Sequence, residues 1–365
     1  MYKDFERFNT MNFLNNDVLH KANEEAIYNL YLYLADKSQY TENDTFKSIV
    51  NDLEENQKLH YWKDKDIYRL EILKNANNNN SILANSKIYD LTRQENGLTA
   101  CSFIKPNGNI SVIFKGTGSG EWIDNGEGLS GIPEENTYTT YEKDGNIMYN
   151  KIVQKDYATD QQVEALNWFS YIASKNNWTP HTKITVSGHS KGGNKAQFVA
   201  IHSGLVSECY SFCGQGFSPE AIDSFKNQYG KVYEERKEKI YSFSADNDYV
   251  NVLGMRLVPD KNIYYIKSHS GLHNIEAILD KNGKFRLQTE QGKLSLYVEN
   301  ISKELMSQKP STRQYATLGI MNVFQKYLGQ GVPVNNDSVS IEKTIAGIGL
   351  SIGYLLRQLK KNKDL

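Results

Sequence analysis

Apolar positions recur at helical spacing through the first eighty residues. Ala26, Ile27, Leu30, Tyr31, Leu32, Tyr33 and Leu34 form one stripe, and Ile67, Leu70, Ile72 and Leu73 form a second. The polar run Asn77–Asn80 reads as a surface loop or linker. The pattern then shortens. Leu98–Ile104 and Ile110–Phe114 flank Pro106-Asn107-Gly108-Asn109, a hairpin whose turn Asn-Gly supplies. Beyond it, helical and strand-length patterns alternate. Gln161–Ser174, Asn194–Ser203 and Pro219–Gln228 read as helices or helix-like segments, whereas Lys183–Val186, Cys209–Cys213, Ile240–Ser244 and Ile263–Ile266 read as short strands. Such alternation predicts an α/β fold with a mostly parallel central sheet. Two helical segments close the chain, Ala316–Leu328 and Ser340–Leu359. The predicted partition is a helical N-terminal extension over residues 1–83 packed on the core, a core over 84–310, and a C-terminal helical segment over 311–365.

Composition narrows the functional classes mainly by exclusion. The 365 residues are 39% hydrophobic and 23% charged, a globular mixture. Forty-two Lys and Arg balance 43 Asp and Glu. Nucleic-acid binding is therefore not expected, because phosphate affinity draws on an excess of cations. The three cysteines, Cys101, Cys209 and Cys213, are too few for a disulfide framework and have no zinc-like C-x-x-C spacing. No basic-then-apolar leader precedes the first helix, and no run reaches the roughly 18 apolar residues of a membrane span. The expected location is the cytoplasm, or outside the cell by export without a cleaved signal peptide. The last helix is apolar from Thr344 to Leu356 and ends in Arg357, Lys360, Lys361 and Lys363, reading as a packed helix with a solvated end. The same basic tail suits peripheral contact with anionic lipid, and the terminal helices are available to a protein partner.

The strongest chemical signal is Thr185-Val-Ser-Gly188-His-Ser190-Lys-Gly192-Gly193, which contains G-x-S-x-G. Composition alone would place that pattern in about one chain in eight of this length. Its context makes it specific, since a strand-like run precedes it and a helix-like run follows. A serine nucleophile stands on such a strand-to-helix turn, where Gly188 and Gly192 leave the room the turn demands. A serine at its free pKa is a weak nucleophile and requires a base, nearly always His, oriented by a carboxylate. In the α/β-hydrolase order Ser, acid, His, only His269 and His273 remain as bases. His20, His60 and His181 precede Ser190, His189 sits in the elbow and is expected to point away from the active face, and His202 lies down the following helix. The acid is expected after Ile240–Ser244, which leaves Asp246 and Asp248. His269 and His273 share the spacing of H-E-x-x-H but enclose no Glu, so no metal site is expected.

With these positions in hand, the chain resembles the class 3 (fungal-type) lipases and their bacterial lipase-like relatives among the α/β-hydrolases. Ser187–Gly193 is similar to the family elbow, with Lys191 where an apolar residue is usual. Val112-Ile-Phe-Lys-Gly-Thr117, followed by Trp122-Ile-Asp124, resembles the F-R-G-[ST] segment, and Asp248-Tyr-Val250 resembles D-x-V. The resemblance spans about Gly97 to Asn282 and implies an α/β-hydrolase fold with helical N- and C-terminal additions. It implies Thr117 and the amide of Lys191 as the oxyanion hole, and Asp248 as the acid. It favours His273 over His269 as the base, because Asn274-Ile-Glu-Ala-Ile-Leu resembles the helix that follows the base. Lys191 reads as a solvated surface lysine or as a charge facing a phosphate-bearing substrate. Gly126–Asn150 lies where a lid is expected, has no strongly amphipathic pattern, and reads equally as a long surface loop.

The expected activity is cleavage of carboxylic esters of acyl lipids, of lipase or phospholipase A type, through Ser190, His273 and Asp248 and an acyl-enzyme. No metal or organic cofactor is implied. The competing expectations are a non-catalytic hydrolase-fold interaction protein and a triad thioesterase or peptidase.

Overall fold

The computed structural model describes residues 16–93, 97–118, 122–141, 149–269 and 273–328. The helix expected over Ser340–Leu359 lies outside the described residues. The N-terminal pattern resolves into α1 (Asn16–Leu32), α2 (Phe46–Leu59), α3 (Asp64–Asn79) and the single turn α4 (Ser81–Ala84). Asn77–Asn79 of the expected loop are instead the last turn of α3, with Asn77 buried, and Asn80 is the extended residue that follows it. The Asn80 side chain accepts from the Leu83 amide at 3.0 Å and starts α4. Asparagine serves helix ends by this kind of side-chain bond, so a run of it marks a boundary as readily as a loop.

Eight strands form one sheet in the order β1 (Lys87–Arg93), β2 (Thr99–Ile104), β3 (Ile110–Phe114), β6 (Ile184–His189), β7 (Val206–Phe212), β8 (Ile240–Ala245), β9 (Ile263–Ile266), β10 (Gln288–Thr289). β3, β6, β7, β8 and β9 run parallel, while β1 and β2 at one edge and β10 at the other are antiparallel to their neighbours. The fold is thus α/β with a mostly parallel central sheet, as the alternating pattern predicts. The predicted hairpin is β2–β3, with Gly108 at φ +79° in its turn.

The parallel strands are buried on both faces by helices. α1 to α3 cover one face, sharing a core with Phe103, Ile113, Tyr210, Phe212 and Phe243. α6 (Asp160–Lys175), α7 (Lys191–His202) and α8 (Pro219–Tyr229) cover the other, against Val112, Phe114, Ile184 and Val186. Strand side chains alternate between these two cores, as the period of two requires. Local caps set the helix starts: Thr159 and Gln162 form a capping box at α6, and Ser218 caps α8 ahead of Pro219.

Within Gly126–Asn150 the described residues form neither a lid helix throughout nor a plain loop. α5 (Trp122–Ser130) continues to Ser130, and β4 (Glu134–Tyr141) then pairs antiparallel with β5 (Tyr149–Asp156) as a separate two-stranded sheet. Its Thr and Tyr content favours strands. α9 (Lys231–Lys237), α10 (Lys293–Met306) and α11 (Pro310–Leu328) complete the described α-helices, and α11 lies on α5 through Ile123, Leu318 and Met321. Among the described residues no helix is long and apolar enough to cross a membrane.

One polar line crosses the N-terminal core. Glu25 of α1 is fully buried and accepts from the hydroxyls of Ser111 on β3 and Ser187 on β6, and from Lys105. Asn29, one turn on, donates to Ser187 at 2.9 Å. Burial pushes the Glu25 carboxyl up, against the pull of Lys105 and the two hydroxyls. These bonds set α1 along β6 and aim its end at the residues that follow Ser187.

Candidate active site

β6 ends at His189 and α7 begins at Lys191, leaving Ser190 between them at φ 60°, ψ −127°. A non-glycine residue held there carries on the order of 1–3 kcal/mol of backbone strain, which a functional turn sustains when its surroundings leave no alternative. They leave none. A Cβ on Gly188 would lie 2.0 Å from the Gly192 carbonyl oxygen, and one on Gly192 would lie 2.0 Å from the Phe114 oxygen of β3. The Ser190 amide donates to Phe212 of β7 at 2.9 Å.

Two further loops meet the serine. His273 Nε2 stands 2.8 Å from Ser190 Oγ, and His273 Nδ1 stands 2.7 Å from Asp248 Oδ2. Asp248 is fully buried, and its other oxygen accepts from the amides of Val250 at 2.6 Å and Asn251 at 2.8 Å. His269, the other candidate from the sequence, turns Nδ1 to the Ala277 carbonyl at 3.0 Å, with Tyr68 near its Nε2. Asp246 accepts from the Ser268 amide and hydroxyl and from Lys267. Burial would raise its carboxyl pKa, but Lys267 and Ser268 hold it below the ordinary value. Asp246 therefore anchors the start of the histidine loop, and Asp248 meets the ring.

Gly116 and Thr117 follow β3 beside the elbow. A Cβ on Gly116 would lie 3.2 Å from Ser190 Cβ and 2.8 Å from the His189 oxygen. Thr117 Oγ1 accepts from Asn125 Nδ2 at 2.9 Å, so its own O–H is free to point elsewhere. The amide of Lys191 is the first of α7, among those a helix leaves without an internal partner.

Lys191 departs from both expectations. Its side chain is neither solvated nor turned to a substrate: it is 1% exposed, with Nζ 2.5 Å from Asp124. Asp124 also accepts from Thr159 Oγ1 at 2.9 Å and the Gln161 amide at 3.1 Å. A buried ammonium requires such a counter-charge. His189 departs too. Rather than pointing away, it lies with its ring 5.0 Å from that of His273, and burial, with His273 beside it, pushes its pKa well below the usual value. Asn125, Asp124 and Gly116 carry no role in the sequence reading. Asp124 stands in the Trp122-Ile-Asp124 segment, but nothing in the sequence marks Lys191 as buried and so in need of an acid.

Among the described residues one group, His189, Cys213 and His273, brings His and Cys ligand atoms within 4.8 Å of one another. Both rings already bond through both nitrogens, and burial, with Asp248 nearby, keeps the Cys213 thiol protonated. The donor set is that of a hydrogen-bonded network.

Glu127 of α5 lies close to the Lys191–Asp124 pair. Burial, with Asp124 and Glu134 beside it, pushes its carboxyl from 4.5 up to about 8, and Lys191 pulls the other way. The folded protein thus keeps a proton that the unfolded chain releases. The stability this confers is full below pH 4.5 and is lost as pH rises to about 8. Glu127→Gln is expected to gain stability relative to wild type across that window, read from thermal unfolding at several pH values. A constant difference between the two would contradict the assignment.

The segment holding Ser190, Asp248 and His273 also carries the sequence likeness. Residues 140–314 match the Mbeg1-like family. The Mbeg1-like segment leaves out Thr117, Asn125 and the N-terminal helices. No curated protein matches the chain. Similar solved structures include a fungal lipase–inhibitor complex interpreted as a model for interfacial activation, 17% identical over 51% of this chain and 66% of the lipase, with a TM-score of 0.32. Another is a Rhizomucor miehei lipase–propeptide complex, 14% identical over 56% and 72%, at 0.33. M37 lipase is 15% identical over 45% and 54%, at 0.25. The chain thus spans just under two thirds of the first of these lipases. The fold assignment rests on the strand order and the elbow.

Proposed function

We propose that the protein is a serine hydrolase of carboxylic esters, acting on acyl lipids as a lipase or phospholipase A. The observation that carries the reading is the continuous hydrogen-bonded line Asp248–His273–Ser190, with Ser190 on a strained strand-to-helix turn. His273 Nε2 accepts the Ser190 proton as Oγ attacks the ester carbonyl. Asp248, held by two amides, orients the ring and stabilises the imidazolium. The amides of Lys191 and Thr117, with the Thr117 hydroxyl, receive the developing oxyanion, a contribution of about 3–4 kcal/mol per donor in comparable sites. His273 then protonates the departing alcohol, and water releases the acyl group by the same route.

The lipid part of the reading draws support from the lipases to which the chain is similar and from apolar groups near the acid loop. Tyr249 is half exposed with its ring 5.6 Å from that of His273, and exposed Leu294 bonds Asn247 through its amide. Such a rim suits an acyl chain and peripheral contact with a lipid surface. A fluorophosphonate probe tests the chemistry: folded protein is expected to be labelled at Ser190 and nowhere else. An unlabelled Ser190 would overturn the hydrolase reading. Comparing phospholipid vesicles with triglyceride emulsion then assigns the lipid class.

A further inference from the structure

The base loop is held from the N-terminal helical layer. His189 Nε2 lies 2.9 Å from the carbonyl oxygen of His273, and its Nδ1 lies 2.6 Å from the hydroxyl of Tyr33, just past the end of α1. A carbonyl only accepts, so Nε2 carries the hydrogen. Nδ1 of the neutral ring is then bare and accepts from the Tyr33 hydroxyl. Tyr33 is itself confined. Its ring lies under the Arg69 guanidinium at 4.7 Å, and a Cβ on Gly116 would meet its hydroxyl at 2.7 Å. α3 reaches the same loop independently, through Lys65 to Asn274 at 2.7 Å and Arg69 to Glu276 at 3.3 Å.

We infer that His189, set in one tautomer by Tyr33, is a positioning residue that fixes the backbone of His273. Asp248 orients the ring of the base, while the Tyr33–His189 pair sets where its main chain stands. Neither His189 nor Tyr33 enters the proposed reaction as an acid, a base or an oxyanion donor. The inference rests on the hydrolase reading above, and it adds a requirement for the layer that lies N-terminal to the Mbeg1-like match.

The test is steady-state hydrolysis of a short p-nitrophenyl ester by the full chain. Activity of the wild type that disappears in Ser190→Ala comes first, and its absence would defeat the hydrolase reading itself. His189→Phe keeps a ring without the donor and is expected to lower kcat by about 100-fold with KM unchanged, the scale of a slightly misplaced catalytic group. His189→Gln places an N–H close to the old Nε2 and is expected to recover most of that loss. Tyr33→Phe, which removes one hydroxyl, is expected to fall between wild type and His189→Phe. A His189→Phe enzyme within about twofold of wild type would overturn the inference alone. So would a well-folded His189→Gln enzyme as impaired as His189→Phe. Where His189→Phe does not fold, His189→Asn, whose amide stands near Nδ1 instead, takes its place. His189→Gln more active than His189→Asn supports the inference, and the reverse order overturns it.

Discussion

Ser190→Ala is expected to abolish ester hydrolysis, with a loss of at least about 10⁴-fold, and to remove fluorophosphonate labelling while the protein stays folded. The serine hydroxyl is the proposed nucleophile, and alanine fits the same turn with less bulk. Asp248→Asn is expected to cost about 10⁴-fold for a different reason. The Val250 and Asn251 amides bond one carboxyl oxygen, which the amide oxygen replaces, so the loop keeps its shape. The oxygen facing His273 Nδ1 becomes an NH2 group, which favours the tautomer that cannot accept from Ser190. Measured kcat/KM with thermal unfolding separates lost chemistry from lost structure. Residual activity above about a tenth of wild type in either variant would contradict the proposed roles.

Arg313→Leu is expected to destabilise the fold by about 3–5 kcal/mol. The guanidinium, 1% exposed, donates to the carbonyls of Ser130, Met306 and Gln308 and pairs with Glu220. It therefore joins the C-terminal end of α5, the start of α8 and the turn between α10 and α11. Gly131, at φ +71°, is the opening that admits it, since a Cβ there would collide with both Glu220 and Arg313. Leucine would leave Glu220 unpaired and three carbonyls without their donor. Denaturant unfolding followed by intrinsic fluorescence checks the value, and a change below about 1 kcal/mol would show that the clasp contributes little. Because α5 carries Asp124 and Asn125, the variant is also expected to lose activity before it unfolds.

What could be read in advance follows from how local the cause is. The elbow, the Asn-Gly hairpin and the α/β alternation are written within a few residues each, so pattern alone located them. The histidine was harder. His269 and His273 share one loop and one spacing, and resemblance rather than spacing favoured the one that the geometry places beside Ser190. Lys191 and His189 were misread because their surroundings come from far along the chain: Asp124 from α5, Tyr33 from beyond α1. The β4–β5 pair is hidden in the sequence because Glu, Asn, Lys and Asp interrupt its strand-favouring Thr and Tyr, leaving no apolar alternation on which to judge a strand.

Tyr33 reaches across 156 residues to His189, and Arg313 across 183 to Ser130. The elbow is therefore synthesised well before the last element that steadies its surroundings. At about 5–20 residues per second, on the order of ten seconds separate Ser190 from Arg313 leaving the ribosome's catalytic centre. A nascent chain during that interval carries the serine without its full supporting frame. Until Arg313 has emerged, α5 lacks the clasp that fixes its end, and the proposed oxyanion side of the site lacks part of its support.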